Sequence, residues 1–186
     1  MITYQQGKEE DISGVLKLQE KNLAANLNTT EMKRGFVTTP FTTPQIEEII
    51  KQNGLFVAKD QSKIIAYIFA GSWDYFSQWE IFKYMVNRFH LITFKDHKLT
   101  TTNTFQYGPV CIDINYRSRG IFNELFEYMR KEFVKKYPIS ITFINQDNAI
   151  STAAHTRKIG WQVIDKFEFN NKRYFGLAID MNVPVV

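Results

Sequence analysis

The stretch NYRSRGIFNEL, residues 115–125, sets Arg117 and Arg119 beside Gly120, where the apolar run YGPVCIDI gives way to an amphipathic segment. At a strand-to-helix corner the first backbone N–H groups of the helix have no intrahelical acceptor, and the helix dipole adds partial positive charge. Phosphate groups bind such corners. Gly120 lets the backbone come close to a ligand, and the two arginines add formal charge. The spacing is Arg-x-x-Gly, neither Gly-x-x-x-x-Gly-Lys-Ser/Thr nor Gly-x-Gly-x-x-Gly, which disfavours a P-loop and a dinucleotide fold. Alone, the corner reads equally as an ordinary turn.

Two other sets of residues have chemistry-bearing types. Cys111 is the single cysteine, which excludes an intramolecular disulfide and a cysteine-based zinc cluster. It reads either as a nucleophile acting with His155 or, as lone thiols in strands usually do, as a small core residue. His90 and His97, with Asp96, have metal-ligand types, but at that spacing they read as surface residues, and no metal is expected.

These groups need elements to position them. ITYQQ alternates as a first strand, and residues 10–23 place Ile12, Val15, Leu16, Gln19 and Leu23 near one helical face. Residues 22–43 are polar and turn-rich. A second helix follows, capped by Thr43, with Pro44 in its first turn, Ile46, Ile49 and Ile50 on its apolar side, and Gly54 at its end. LFVAKD and KIIAYIFAGSW read as an antiparallel pair of strands. Within residues 73–94, Trp79, Phe82, Val86 and Phe89 fall at helical spacing, which predicts a helix. KLTTTNTFQYGPVCIDI returns to β character. A helix over 121–136 carries Ile121, Phe122, Leu125, Phe126, Met129 and Phe133, and Pro138 stops it. ISITFIN is a buried strand, 148–158 a short helix closed by Gly160, and WQVIDKFEF with RYFGLAIDM a closing hairpin.

The 186 residues are 44% hydrophobic and 23% charged, enough for one well-packed domain over 1–186 and against disorder. A net charge of +4 suits an anionic ligand. Nucleic acid is not expected, since helix-turn-helix, stacking-sheet and clustered-lysine patterns are all missing. MITYQQGKEEDIS holds no apolar targeting core and the apolar runs are short, so a cytoplasmic protein without a membrane partner is expected.

Taken together, YGPVCIDI, NYRSRGIF, the amphipathic helix, ISITFIN and NAISTAAHTRKIGW resemble the GNAT acyltransferase superfamily, and the resemblance spans nearly the whole chain. In that family Arg/Gln-x-x-Gly-x-Gly/Ala cradles the pyrophosphate of acetyl-coenzyme A. The matching positions are Arg117, Gly120 and Phe122. A second signature, Asn, a short helix, then Lys-x-Gly-Phe, is matched by Asn148, Lys158, Gly160 and Trp161. The resemblance implies an α/β (α+β) fold with a mixed, mostly antiparallel sheet and flanking helices. It implies acetyl-CoA as co-substrate, held by Ile112, Ile114, Arg117, Ser118, Arg119, Gly120, Ile121, Phe122 and Asn148. Ser118 stands where glycine is frequent but keeps its N–H. Phe122 replaces a small residue, and its ring must turn into the sheet to leave the backbone open.

The family's chemistry implies direct attack of a neutral primary amine on the thioester in a ternary complex. A backbone N–H around Ile112 to Ile114 would stabilise the oxyanion, with a base for the amine and a donor for the departing thiolate. The family's frequent tyrosine donor is Thr156 here, with His155 beside it. Helix neighbours diverge by about 100°, so only one faces the sulfur, and His155, titrating near neutrality, is the candidate donor. Asp113, on the strand near the reaction centre, is a candidate proton acceptor. The aromatic segment offers Trp73, Asp74, Tyr75, Trp79 and Glu80 to an acceptor by ring faces and carboxylates. Core packing or a homodimer surface is the competing reading. The expected function is N-acetyl transfer to a small-molecule or peptide amine. The alternative is a non-catalytic acyl-CoA-binding domain of the same fold.

Overall fold

The computed structural model describes residues 1–185. Strand β1 (Ile2–Gln6), helix α1 (Ile12–Glu20) and helix α2 (Thr43–Lys51) precede the hairpin of β2 (Leu55–Asp60) and β3 (Lys63–Gly71). Helix α3 (Glu80–Arg88) leads to β4 (Thr104–Ile112), α4 (Ile121–Phe133), β5 (Ile139–Asn145) and the short α5 (Ala149–Ala153). Strands β6 (Gln162–Phe169) and β7 (Lys172–Asp180) close the chain. One seven-stranded sheet runs β1-β2-β3-β4-β5-β7-β6, with β4 and β5 parallel and every other neighbouring pair antiparallel. This is the mixed, mostly antiparallel α/β architecture that the resemblance implies.

Side chains alternate across a strand, so each face of the sheet gathers its own core. Along β2, Leu55 and Val57 pack with Val15 of α1 and Ile46 and Ile49 of α2. Phe56 and Ala58 pack with Leu125, Phe126 and Met129 of α4. Strand β3 is covered on both faces, which is why its run from Ile64 to Gly71 is continuously buried rather than alternating.

Three local expectations shift. Helix α2 is capped by Thr42 rather than Thr43: Gln45 Oε1 accepts from the Thr42 N–H at 2.9 Å in a reciprocal cap. The single helix expected over 73–94 is broken. One turn, Trp73–Phe76, is capped by the Ser72 hydroxyl, then come α3, a tight turn at Phe89–Leu91 and a two-stranded ribbon of Thr93–Phe94 with His97–Lys98. Trp73, Tyr75 and Phe76 are all buried, and residues so spaced do not share one face of a continuing helix. The helix after Asn148 widens into a π turn, Ala154–Ile159, closed by Gly160 at φ 93. No helix among the described residues is long and apolar enough to cross a membrane.

Candidate active site

Strands β4 and β5 pair only from Thr104 to Gln106 against Ile139 to Ile141, and then part. The β3 register shifts between Ile68 and Ala70, leaving Gly108 and Pro109 opposite Phe69, a bulge that bends β4. Gly108 sits at φ 101, a conformation glycine adopts without steric cost. Where the ladder ends, the Tyr107 carbonyl accepts from the Thr142 hydroxyl at 2.7 Å and from Gln106 Nε2 at 2.6 Å. Past the bulge, the Asp113 N–H donates to the Ile65 carbonyl. Bonded and non-bonded pairs alternate along an antiparallel register. The Val110 and Ile112 N–H groups therefore point away from β3, into the split.

On the α4 side the split opens into a cleft of about 210 Å³. Gly120 precedes α4 at φ 78, no side chain caps the helix, and a Cβ at Gly120 would meet nothing within 4 Å. Ser118, at φ 63, occupies the left-handed region that accounts for glycine at that place in the resemblance. Phe122 turns inward: it is buried in the α4 core, with its ring centroid 5.0 Å from that of His155. The corner is left open. Arg34, Arg117 and Lys158 line this cleft, and no carboxylate does among the described residues.

Not every predicted binding residue reaches the cleft in the same way. Ile112, Arg117, Ser118, Gly120, Ile121, Phe122 and Asn148 line it. The Arg117 fork is occupied by the Ile112 carbonyl (3.1 Å), Asn22 Oδ1 (3.2 Å) and the Arg34 carbonyl, so it ties the 22–34 segment to the end of β4. Asn148 caps α5 by accepting from the Ser151 N–H, and its Nδ2 donates to the Phe36 carbonyl at 3.0 Å. Arg119 is exposed and lies over the Tyr116 ring at 5.2 Å. Ile114 begins an exposed turn beyond the strand end, outside this cleft. Cys111 lines the cleft, but burial pushes its thiol up to about 12, against a weaker downward pull from Arg117. It is a protonated core thiol, not a poised nucleophile.

On the other face the split continues into a cavity of about 70 Å³. Gln106 to Val110, Thr142 to Asn145, Phe36 to Thr39 and Phe82 wall it, and Phe36, Val37, Val110, Asn148, Ser151 and His155 line both this cavity and the first cleft. His155 Nδ1 lies 2.8 Å from the Ser151 carbonyl, which only accepts, so Nδ1 carries the proton and Nε2 the lone pair. Burial pushes the imidazole down from 6.5 to about 4, with the Ser151 carbonyl acting weakly the other way. The ring is therefore neutral near pH 7 and holds no Nε2 proton to donate, contrary to the donor role its residue type suggests.

Asp113 lines neither cavity of the split. Burial raises its carboxyl, but the Lys63 ammonium at 2.9 Å and the Asn115 N–H at 3.0 Å outweigh this and hold it below the usual range. It is an ionised structural partner at the strand end. Trp73, Asp74, Tyr75, Trp79 and Glu80 are not brought to the cavities either. Trp73 Nε1 donates to Thr104 Oγ1 at 2.9 Å, the Tyr75 hydroxyl donates to the Gln45 carbonyl at 2.7 Å, and Trp79 packs on Phe41 at 4.8 Å. Asp74 is exposed, and exposed Glu80 pairs with Lys83 at 2.6 Å. The segment's contribution is Phe82. Among the described residues no three His, Cys, Asp or Glu side chains gather as for a metal ion.

Sequence reasoning missed Gln106, Val110, Thr142 and the 34–39 segment. The glycine-proline pair inside a strand was the one available signal of the bulge.

No family model and no curated protein matches the sequence. Solved structures do match. A PaiA N-acetyltransferase from Thermoplasma acidophilum in complex with coenzyme A superposes with a TM-score of 0.66 at 11% identity, covering 97% of this chain and 99% of that one. An acetyltransferase of the GNAT family from Streptococcus pneumoniae gives 0.63 at 9% identity, over 97% and 99%. YncA from Salmonella typhimurium, solved with its cofactor acetyl-CoA, gives 0.63 at 11% identity, over 98% and 97%. At such identities the likeness is one of fold. With its sheet split at the β4 bulge and an open glycine corner beside it, the chain has the fold of the GNAT N-acetyltransferases.

Proposed function

We propose that the chain transfers an acetyl group from acetyl-CoA to a primary amine by direct attack, with both substrates bound at once across the split. One observation carries this: two unlike cavities meet at Val110 and His155 through a break in the sheet. Among the described residues, one is lined by Arg34, Arg117 and Lys158 without a carboxylate, and the other by no Asp, Glu, Lys or Arg.

The residues present suit the co-substrate. A diphosphate suits the uncapped α4 N-terminus beside bare Gly120. An extended chain of amide groups suits the unpaired Val110 and Ile112 N–H groups, as a strand added at an edge. Acetyl-CoA supplies a thioester: the amine C–N bond forms, the C–S bond breaks, and the proton lost by the amine ends on the departing thiolate. The Val110 N–H, the first donor beyond Pro109, faces the carbonyl oxygen as charge develops there. His155, neutral with a lone pair on Nε2, accepts a proton from the attacking amine.

Thiol release from acetyl-CoA over a pool of primary amines, with the amide identified by mass spectrometry, tests this. Amine-dependent release is expected. Calorimetric binding of acetyl-CoA with no release above hydrolysis would instead establish the binding-only alternative, which the low basicity of buried His155 favours.

A further inference from the structure

On the acetyl-transfer reading, the reacting carbon lies where the two cavities meet, and the departing sulfur needs a proton there. The residues common to both cavities are Phe36, Val37, Val110, Asn148, Ser151 and His155. Only the last three carry a side-chain N–H or O–H. Asn148 is committed at both ends, accepting from the Ser151 N–H and donating to the Phe36 carbonyl, and an amide is no acid near pH 7. That leaves Ser151 and His155, four residues apart and so neighbours on one side of the short helix. Thr156, where the resemblance puts a tyrosine, lines neither cavity, and its hydroxyl donates to the Thr152 carbonyl at 2.8 Å. Groups that border one cavity alone are also spent: Thr142 donates to the Tyr107 carbonyl, Tyr116 to Asp60 and Cys111 to the Leu18 carbonyl.

The Ser151 hydroxyl is not spent in this way. The residue is half-buried, and its Oγ lies 3.4 Å from His155 Nδ1. That nitrogen carries a proton, held at 2.8 Å by Ser151's own carbonyl, so Oγ only accepts there. The Ser151 O–H is left to donate elsewhere, and among the described residues none accepts it. A serine alkoxide is far more basic than a thiolate, so the hydroxyl cannot simply surrender its proton. It can pass one on, taking the Nδ1 proton as it gives its own. Contacts as long as 3.4 Å shorten as substrates close on catalytic groups. In such an exchange His155 changes tautomer without becoming an imidazolium, the form its buried site disfavours.

We infer that Ser151 protonates the departing thiolate, as the last member of a relay that runs from the amine through His155 Nε2 and Nδ1 to the Ser151 hydroxyl. The balance closes. The C–N bond forms and the C–S bond breaks, Nε2 takes one proton from the amine, Nδ1 gives one to Oγ, and Oγ gives one to sulfur. Ser151 ends as it began. The imidazole ends in its other tautomer and returns to the resting one by exchange with water after the products leave. This inference rests on the acetyl-transfer reading and supplies the proton donor that neutral His155 cannot be by itself.

The test uses the full chain with coenzyme A, and it needs no acceptor. A hydrogen bond from Ser151 to the sulfur favours the thiolate, so the bound thiol titrates lower in the wild type than in Ser151→Ala. Ultraviolet thiolate absorbance of bound coenzyme A, followed against pH, is expected to place the Ser151→Ala midpoint about one pH unit or more above that of the wild type. Arg34, Arg117 and Lys158 line the same cleft in both proteins, so their pull on the thiol is common to the two curves. Alanine is the better helix former and keeps the N–H that Asn148 accepts, so the variant is expected to fold. A second arm uses alaninamide, whose α-amino group, titrating near 7.8, is partly neutral at pH 7. Its single-turnover acetylation by acetyl-CoA is expected to slow about 100-fold in Ser151→Ala. With the selenoester analogue of acetyl-CoA, whose selenolate leaves without a proton, the loss is expected to shrink below about threefold. Equal thiol midpoints in the two proteins would overturn the inference, and so would an equal loss with both esters. Failure of the wild type to bind coenzyme A and acetyl-CoA would remove the acetyl-transfer reading and this inference with it, whereas binding with equal midpoints removes only the role of Ser151.

Discussion

At Gly120 a single missing side chain leaves open the corner where an anion is proposed to bind. The residue lies at φ 78 with open space where a Cβ would stand. Gly120→Asp is therefore expected to fold, at a cost of about 1 kcal/mol for a non-glycine residue in the left-handed region. Its carboxylate would face the diphosphate, and like charges so placed cost several kcal/mol, so acetyl-CoA affinity is expected to fall at least about 100-fold. Thermal denaturation and calorimetry check the two halves separately. His155 makes a different prediction. Its folded pKa is about 4, against 6.5 when unfolded, because burial disfavours the imidazolium. Between those values the unfolded chain binds a proton that the folded chain does not, so stability is full above pH 6.5 and falls as pH drops toward 4. The loss reaches about 3 kcal/mol, from 1.36 kcal/mol per unit. Urea midpoints at pH 7 and 4.5 should show it, and His155→Gln should remove that slope. The sequence put Phe122 on a helical stripe with Leu125, Phe126 and Met129 but left open which way its ring turns, and the fold turns it inward. The tautomer of His155 was not legible, because it is set by a backbone carbonyl within a π turn that the spacing does not announce.

At the level of elements, two arginines hold the walls of the split. Arg88 of α3 makes a bidentate pair with Asp165 of β6, both contacts at 2.7 Å, and so fixes the helix that carries Phe82 to the cavity. Removing it in Arg88→Ala is expected to destabilise the fold by about 2 kcal/mol, the worth of hydrogen bonds to a charged group. The KM for the amine should rise while acetyl-CoA affinity is kept, which separates the acceptor wall from the co-substrate cleft. Arg117 binds the Ile112 carbonyl, Asn22 and the Arg34 carbonyl at once, and a lysine lacks the planar fork for three such partners. Arg117→Lys is expected to loosen the 22–34 segment, seen as faster amide exchange there, and to weaken acetyl-CoA binding less than Gly120→Asp does. Helices were readable where apolar spacing had one period, as in α2 and α4, and β3 was readable as an unbroken apolar run. Residues 73–94 misled because their aromatic residues are dense enough to satisfy a helical pattern while also demanding burial on several sides. The chain resolves this by breaking into short pieces. Their packing duties also explain why Trp73, Tyr75 and Trp79 are held in the core rather than in the cleft.

Over the whole molecule, the order of elements was visible in the sequence, but the split between β4 and β5 was not. It arises from a bulge opposite Phe69 and from Thr142 and Gln106 satisfying a carbonyl that the ladder abandons. Those contacts join residues far apart in the chain, and no local spacing reports them. On the proposed function, the split divides the chemistry in two: a cleft lined by Arg34, Arg117 and Lys158 for an anionic carrier, and a cavity without charged side chains among the described residues for a neutral amine. A conjugate joining alaninamide nitrogen through an acetyl bridge to the sulfur of coenzyme A would occupy both at once. Its binding, measured by calorimetry against coenzyme A alone, tests most directly that the two substrates meet across the sheet. Linked ligands gain effective concentration only where both sites can be spanned, so affinity at least about 100-fold above that of coenzyme A is expected. Affinity equal to or below that of coenzyme A would contradict it.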